Sequence, residues 1–189
     1  MTAPDESVPG VALFDLLRRR RMHRVLSGAP VAEAQLEQLA WAASRAPMGG
    51  NQLMRRILIV TDERLIEVVR LVTPSFGATG AAAVIVLCTD LIVAEERMGT
   101  LGRDLISLID AGAAAENVAL AAATLQLGVS FIRSANEAAL RPVLELPAEV
   151  RPDILIAVGH PSSRPGPAAV SRRPDIYRDT YGQPWKEIA

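Results

Sequence analysis

The 189-residue chain has one cysteine, two histidines and a single lysine, Lys186, and its Phe, Tyr and Trp residues make up only 4% of the total. Each scarcity excludes something. A lone thiol, Cys88, forms no intrachain disulfide and suits a reducing compartment. It lies in the apolar run AAVIVLC with no neighbouring His or cation to lower its pKa, so it reads as a buried, inert group. With only His23 and His160 and no cysteine pair, a zinc site of the usual ligand set is not expected, and no metal is predicted. Three Phe, two Tyr and two Trp give few platforms for stacked bases, and a formal net charge of −1 lacks the cationic surplus that binds a phosphate backbone. Nucleic acid is therefore not an expected partner. The opening MTAPDESVPG has no charged-then-apolar signal pattern, which makes a cytoplasmic location the expectation. No uninterrupted apolar run approaches the roughly 20 residues of a membrane span. The longest, around 111–132, is broken by Glu116, Asn117, Thr124 and Gln126 and reads as a buried helix, so no membrane association is expected.

What is present describes a globular domain: 50% hydrophobic and 22% charged residues with a mean hydropathy of +0.22. The length fits one core. Residues 1–10 read as a flexible start and 11–189 as a single domain. Its last part, 161–189, is too rich in Pro, Ser and Arg to pack alone and reads as a tail lying on a partner.

Apolar periodicity predicts helices over 11–22, 33–46 and 63–72, with Pro47 and the Gly49-Gly50 pair ending the second. Short β-branched runs predict strands at 57–61, 82–88, 129–133 and 153–159. Segment 89–103 mixes helix formers with Gly99 and Gly102 and stays ambiguous. A long helix is predicted from Asp104 to about Leu127, alanine-rich and apolar on nearly every face, which hints at a subunit interface. Asn136 is placed to cap a helix through Glu145. Helices and strands alternate imperfectly and no Gly-rich dinucleotide fingerprint joins a strand to a helix, so the expected class is α+β.

Two features carry candidate chemistry. Arg18, Arg19, Arg20, Arg21 and Arg24 place five guanidinium groups within seven positions, and Arg172 and Arg173 form a second pair. Each could be a solvated face; together they could clamp one phosphate, whose charge offsets their repulsion. The loop APMGGNQ (46–52) is either a plain helix-to-strand turn or a cradle for a planar ligand, with two glycines for close approach and Asn51 offering donor and acceptor. Trp41 reads as packing, Asp110 and Glu116 as ion-pair or capping partners, and Tyr177, Tyr181 and Trp185 as docking anchors in the tail.

The order and spacing of RRRRMHRVLSGAPV, APMGGNQLMRR, DAGAAAENVALAAATLQLG and VRPDILIAVGHP resemble the FMN-dependent nitroreductase family over residues 18 to about 182. The resemblance implies an α+β nitroreductase-like fold: a central mixed or antiparallel sheet flanked by helices, in an intertwined homodimer whose C-terminal tail embraces the partner. It implies FMN as cofactor, held between subunits. Arg20, Arg21 and Arg24 would hold its phosphate and ribityl oxygens, with Met22 standing where the family usually has serine. Pro47, Met48, Gly49 and Asn51 would meet the flavin, Ile132 and Arg133 would lie beside its redox-active nitrogen, and Arg172 and Arg173 form the late basic pair. Leu53, Met54 and Arg55 replace the family's usual Gln-Pro-Trp. The resemblance further implies a ping-pong reduction of nitroaromatic or quinone-like small molecules by NAD(P)H. Two alternatives stay open: an FMN-dependent dehydrogenase or oxidase acting on cyclic dipeptides or azolines with oxygen as acceptor, with or without a small partner subunit; and a noncatalytic binding or assembly protein.

Overall fold

A computed structural model describes residues 11–162 and 175–185. Helix α1 (Val11–Arg19) and helix α2 (Glu33–Ser44) precede strand β1 (Arg55–Val60), helix α3 (Glu63–Leu71) and strand β2 (Ala83–Asp90). Helix α4 (Leu91–Leu101) runs through a π turn, Gly102–Ile106, into helix α5 (Ser107–Thr124). Strand β3 (Gly128–Ile132), helix α6 (Glu137–Val143) and strand β4 (Val150–Gly159) complete the core. The four strands form one sheet in the order β1-β2-β4-β3, every neighbour antiparallel. This is the expected α+β class with helices on both faces of the sheet.

Strand β2 explains the arrangement. A continuous apolar run cannot alternate between core and water, so both faces must be covered. Ala83, Ile85 and Leu87 enter a core shared with Leu39 of α2 and Ala111, Ala115 and Val118 of α5. Val84, Val86 and Cys88 enter a second core with Val69 of α3 and Leu140 of α6. Strands β1 and β4 divide their residues the same way, giving three layers. Each fully buried Val, Leu or Ile stabilises such layers by about 1.5–3 kcal/mol. Internal strand β4 tolerates Pro152, which has no N–H to donate, because the β2–β4 register shifts between Leu87 and Cys88 opposite it.

The ambiguous 89–103 segment is helical. Asp90 caps α4 by accepting from the Val93 N–H, and Gly99 breaks its regular geometry at φ 64°. Gly102 then lets the π turn close, since a Cβ there would strike Met98 and the Ala94 carbonyl. The run Leu91–Thr124 is by length and composition alone apolar enough to cross a membrane. Its α5 part is instead threaded through the core, with Ala114, Val118 and Ala122 buried. Asn136 caps α6 as expected, accepting from the Ala139 N–H at 3.2 Å. Strand β1 begins earlier than its apolar run, at Arg55, for a reason that lies in the site.

Trp41 corrects the sequence reading. Helix α2 turns Leu36, Leu39, Ala42 and Ala43 inward, which leaves Trp41 on the opposite side, 66% exposed within the chain. Phe76 is a core residue and Phe131 packs at the edge of the first core.

Candidate active site

Helix α5 is the axis on which the two candidate features are built. Towards its C-terminal half, the arginine block closes one side of a cleft of about 1060 Å³, lined by Arg19, Arg20, Arg21 and His23 opposite Ala119, Ala123 and Val129. The chain leaves α1 at Arg19 and is then pinned to β3: Met22 bridges to Val129, and the His23 N–H donates to the Val129 carbonyl at 2.8 Å. That pinning sets the direction of the basic side chains. Arg18 pairs with Asp15 at 3.0 Å, whereas Arg20 reaches across to α5, its Nε 3.0 Å from Glu116 Oε1. Arg21 donates to the carbonyls of Arg18 and Arg20, and Arg24 is exposed while its carbonyl accepts from the Thr79 N–H. The His23 ring packs over Gly128, where any Cβ would collide with it, and this burial lowers its pKa.

On the first turn of α5 sits the second feature. After α2 ends, Met48 is extended and Gly49–Asn51 forms one tight turn, with Gly50 at φ 58° and Asn51 at φ 53°. Glycine and asparagine are the residues that accept this left-handed pair at least strain. Gly49 has a steric reason of its own, because a Cβ would collide with the Ile106 side chain. Its N–H donates to Asp110 Oδ2 at 2.8 Å. Asp110 therefore belongs to α5 by sequence and to the turn by hydrogen bonding, neither the ion pair nor the cap expected of it, whereas Glu116 is the ion-pair partner of Arg20 as expected.

Sequence reasoning missed Arg55. It is buried, 8% exposed, and its guanidinium donates to the carbonyls of Ala43 at 2.8 Å, Pro47 at 3.1 Å and Asp110 at 2.9 Å. Burial pulls its pKa below the ordinary guanidinium value, and the charge of Asp110 pulls it back up. Met54 is likewise buried, and of Leu53, Met54 and Arg55 only Leu53 faces outward. The departure from Gln-Pro-Trp thus falls mainly in the core, with Met54 and Arg55 buried. The available signal was the position of Arg55 at the head of a buried strand, where an arginine must find several acceptors.

The remaining predicted residues divide as follows. Arg20 and Arg21 share the cleft with His23; Met22 forms the bridge beside it. Pro47, Met48, Gly49 and Asn51 do not line that cleft. From Asp110 to Ala123 is thirteen residues of helix, about 20 Å along the axis. Ile132 ends β3 with its side chain in the second core, so only its backbone is available to a ligand, and Arg133 follows it, exposed. Arg172 and Arg173 lie outside the described residues. In the tail, the Tyr177 and Tyr181 rings meet at a tilt of 51° with centroids 4.6 Å apart, Arg178 lies over Trp185, and Tyr181 is almost fully exposed.

Fold and site together define an α+β protein of nitroreductase architecture. Residues 17–76 and 69–160 match the model of the nitroreductase family. An NADPH-dependent oxidoreductase of Staphylococcus aureus is 27% identical over 178 residues, covering 86% of this chain and 70% of that protein. Among solved structures, a nitroreductase-type protein of Desulfovibrio desulfuricans in complex with FMN is 29% identical, with a TM-score of 0.73 over 86% of this chain and 91% of that one. The NfrA1 nitroreductase of Bacillus subtilis, 23% identical, shares the fold with a TM-score of 0.74 over 89% of this chain and 74% of its own. The chain belongs to the nitroreductase family, a family of oxidoreductases.

Proposed function

We propose that this protein is an FMN-dependent oxidoreductase that passes electrons from NAD(P)H to nitroaromatic or quinone-like acceptors in ping-pong fashion. The observation that carries the reading is that both candidate halves of a flavin site are built, on one helix: a guanidinium-lined cleft along the latter half of α5 and a glycine-asparagine turn on its first. The donor set suits FMN. Arg20, Arg21 and Arg24 offer planar cationic forks to a phosphate. Gly49 and Gly50 let the turn pack closely against Ile106 and Met98, and the exposed Gly50 and Asn51 present its outer edge to a ligand. Met22 adds no hydroxyl, so the guanidiniums and backbone N–H groups carry the polar contacts. Backbone at Ile132 and the Arg133 side chain complete the edge, and Arg172 and Arg173 are assigned to the phosphate.

FMN, when bound, supplies the two-electron exchange between nicotinamide and acceptor. The chain's own residues bind, orient and exclude water, and no side chain is assigned as general acid.

The turn does not line the cleft within one chain, and a homodimer resolves this by placing the turn of one protomer against the cleft of the other. The exposed Leu101, Leu105, Leu108 and Ile109 along the π turn and the start of α5 supply an apolar face for that contact. The single domain 11–189, its tail 161–189 embracing the partner, and a cytoplasmic setting that keeps Cys88 reduced belong to the same reading. Anaerobic stopped-flow mixing of the FMN-loaded protein with NADH or NADPH tests the activity. Rapid bleaching of the yellow flavin absorbance, as expected when a bound flavin is reduced, supports it; no bleaching with either nucleotide rejects a nicotinamide as donor.

A further inference from the structure

The turn at 49–51 is held by a device that uses two residues outside the proposed ligand contacts. Arg55 lies behind it at the head of β1 and ties three elements through their carbonyls: the last turn of α2 at Ala43, the loop at Pro47 and the first turn of α5 at Asp110. Asp110 closes the circuit from the other side, its carboxylate accepting the Gly49 N–H. Both side chains are 8% exposed, so neither meets bulk water or an exposed ligand face. The arrangement is costly for a merely structural residue. The Arg55 Nε is buried with no partner among the described residues, and its fork is satisfied by three backbone carbonyls. An apolar side chain would fill the same space without that desolvation. What the guanidinium adds is geometry: a rigid planar fork fixes the angles between three backbone segments as no apolar group does.

We propose that Arg55 and Asp110 are positioning residues that brace the Met48–Gln52 turn in its ligand-facing shape, so that flavin affinity depends on a buried pair that does not touch the flavin. The inference rests on the FMN reading for its consequence and on geometry alone for the brace. Without the Gly49 anchor, the left-handed Gly50-Asn51 pair keeps local bonds alone, Asn51 N–H to the Met48 carbonyl, Gln52 N–H to the Gly49 carbonyl and the Gln52 side-chain amide to the Gly50 carbonyl, and samples other conformations. Binding must then reorder it, and affinity falls by that cost.

Hydrogen exchange of the apoprotein, read by mass spectrometry over 46–53, and FMN affinity, read by fluorescence quenching, test this in the full chain. Asp110→Ala and Arg55→Lys are the primary variants, and Asp110→Asn, which keeps an acceptor for Gly49, is the rescue. Each charge-assisted bond lost predicts exchange in the turn, and the FMN Kd, rising about ten- to a hundredfold in Asp110→Ala, with the Asn variant near wild type. Exchange over β2 (83–90) should stay as in the wild type, which separates a loosened turn from a loosened fold; faster exchange there as well as in the turn overturns the brace. Unchanged exchange in the turn also overturns it. Faster exchange with unchanged Kd overturns the coupling to the flavin. If the wild type itself takes up no FMN, the proposed function fails while the exchange comparison still decides the brace.

Discussion

Arg20 Nε lies 3.0 Å from Glu116 Oε1, so a guanidinium proposed for a phosphate already has a carboxylate partner on α5. The two anions compete for one cation. Glu116→Gln should therefore tighten FMN by about two- to fivefold, the worth of a part-exposed ion pair, and Arg20→Ala should weaken it. Titrations at low and high salt check this. The advantage of Glu116→Gln shrinks as salt screens the pair, and an FMN Kd indifferent to Glu116 would separate Arg20 from the phosphate.

Gly49→Ala should destabilise the fold by about 1–3 kcal/mol, because its new Cβ has no room beside Ile106. Gly112, on α5 with open space around it, is the control, and Gly112→Ala should be neutral or slightly stabilising. Urea unfolding of both variants measures the difference. Equal midpoints would show that the turn does not approach α5 as described.

His23 gives the stability a pH dependence with a defined sign. Burial lowers its pKa in the folded state below the unfolded value of 6.5, so the unfolded chain binds the proton more readily. The contribution is present above that value and is lost as pH falls through the folded pKa. Thermal midpoints of wild type and His23→Gln, taken from pH 7.5 to 5, should converge as acid weakens the wild type. Parallel profiles would assign the acid sensitivity elsewhere.

Leu105 and Ile109 are half or more exposed on the apolar face assigned to the partner. Leu105→Glu combined with Ile109→Glu should bring the mass by light scattering down to the 20.2 kDa of one chain and release FMN. A retained dimer would move the interface to another surface.

Much of the fold was legible because the pattern is strong. Four apolar runs became four strands, and the alanine-rich segment became the core helix α5. The strands could not announce their order, since pairing of β2 with β4 across a gap of sixty residues leaves no local trace. The 89–103 segment was ambiguous for a definite reason: Gly99 and Gly102 read as breakers, and Gly99 does interrupt the helical geometry at a kink, while Gly102 admits the π turn that carries the chain on into α5. Trp41 was misread because helical spacing shows that a residue lies on a helix, and its side of the helix depends on where the apolar majority turns. At the site, the arginine block and the glycine turn stood out by composition. Arg55 did not, since a single arginine before a strand is common, and its three acceptors come from positions 8, 12 and 55 residues away.

The most direct test of the account is an equilibrium titration of apoprotein with FMN, followed by fluorescence quenching, in the wild type and in the Arg20→Ala, Arg24→Ala double variant. Saturation at one FMN per chain in the wild type, lost in the double variant while its circular dichroism stays unchanged, is the predicted result. A wild type that leaves FMN fluorescence unaltered, or a double variant that binds it equally well, would contradict the assignment of these guanidiniums to a flavin phosphate.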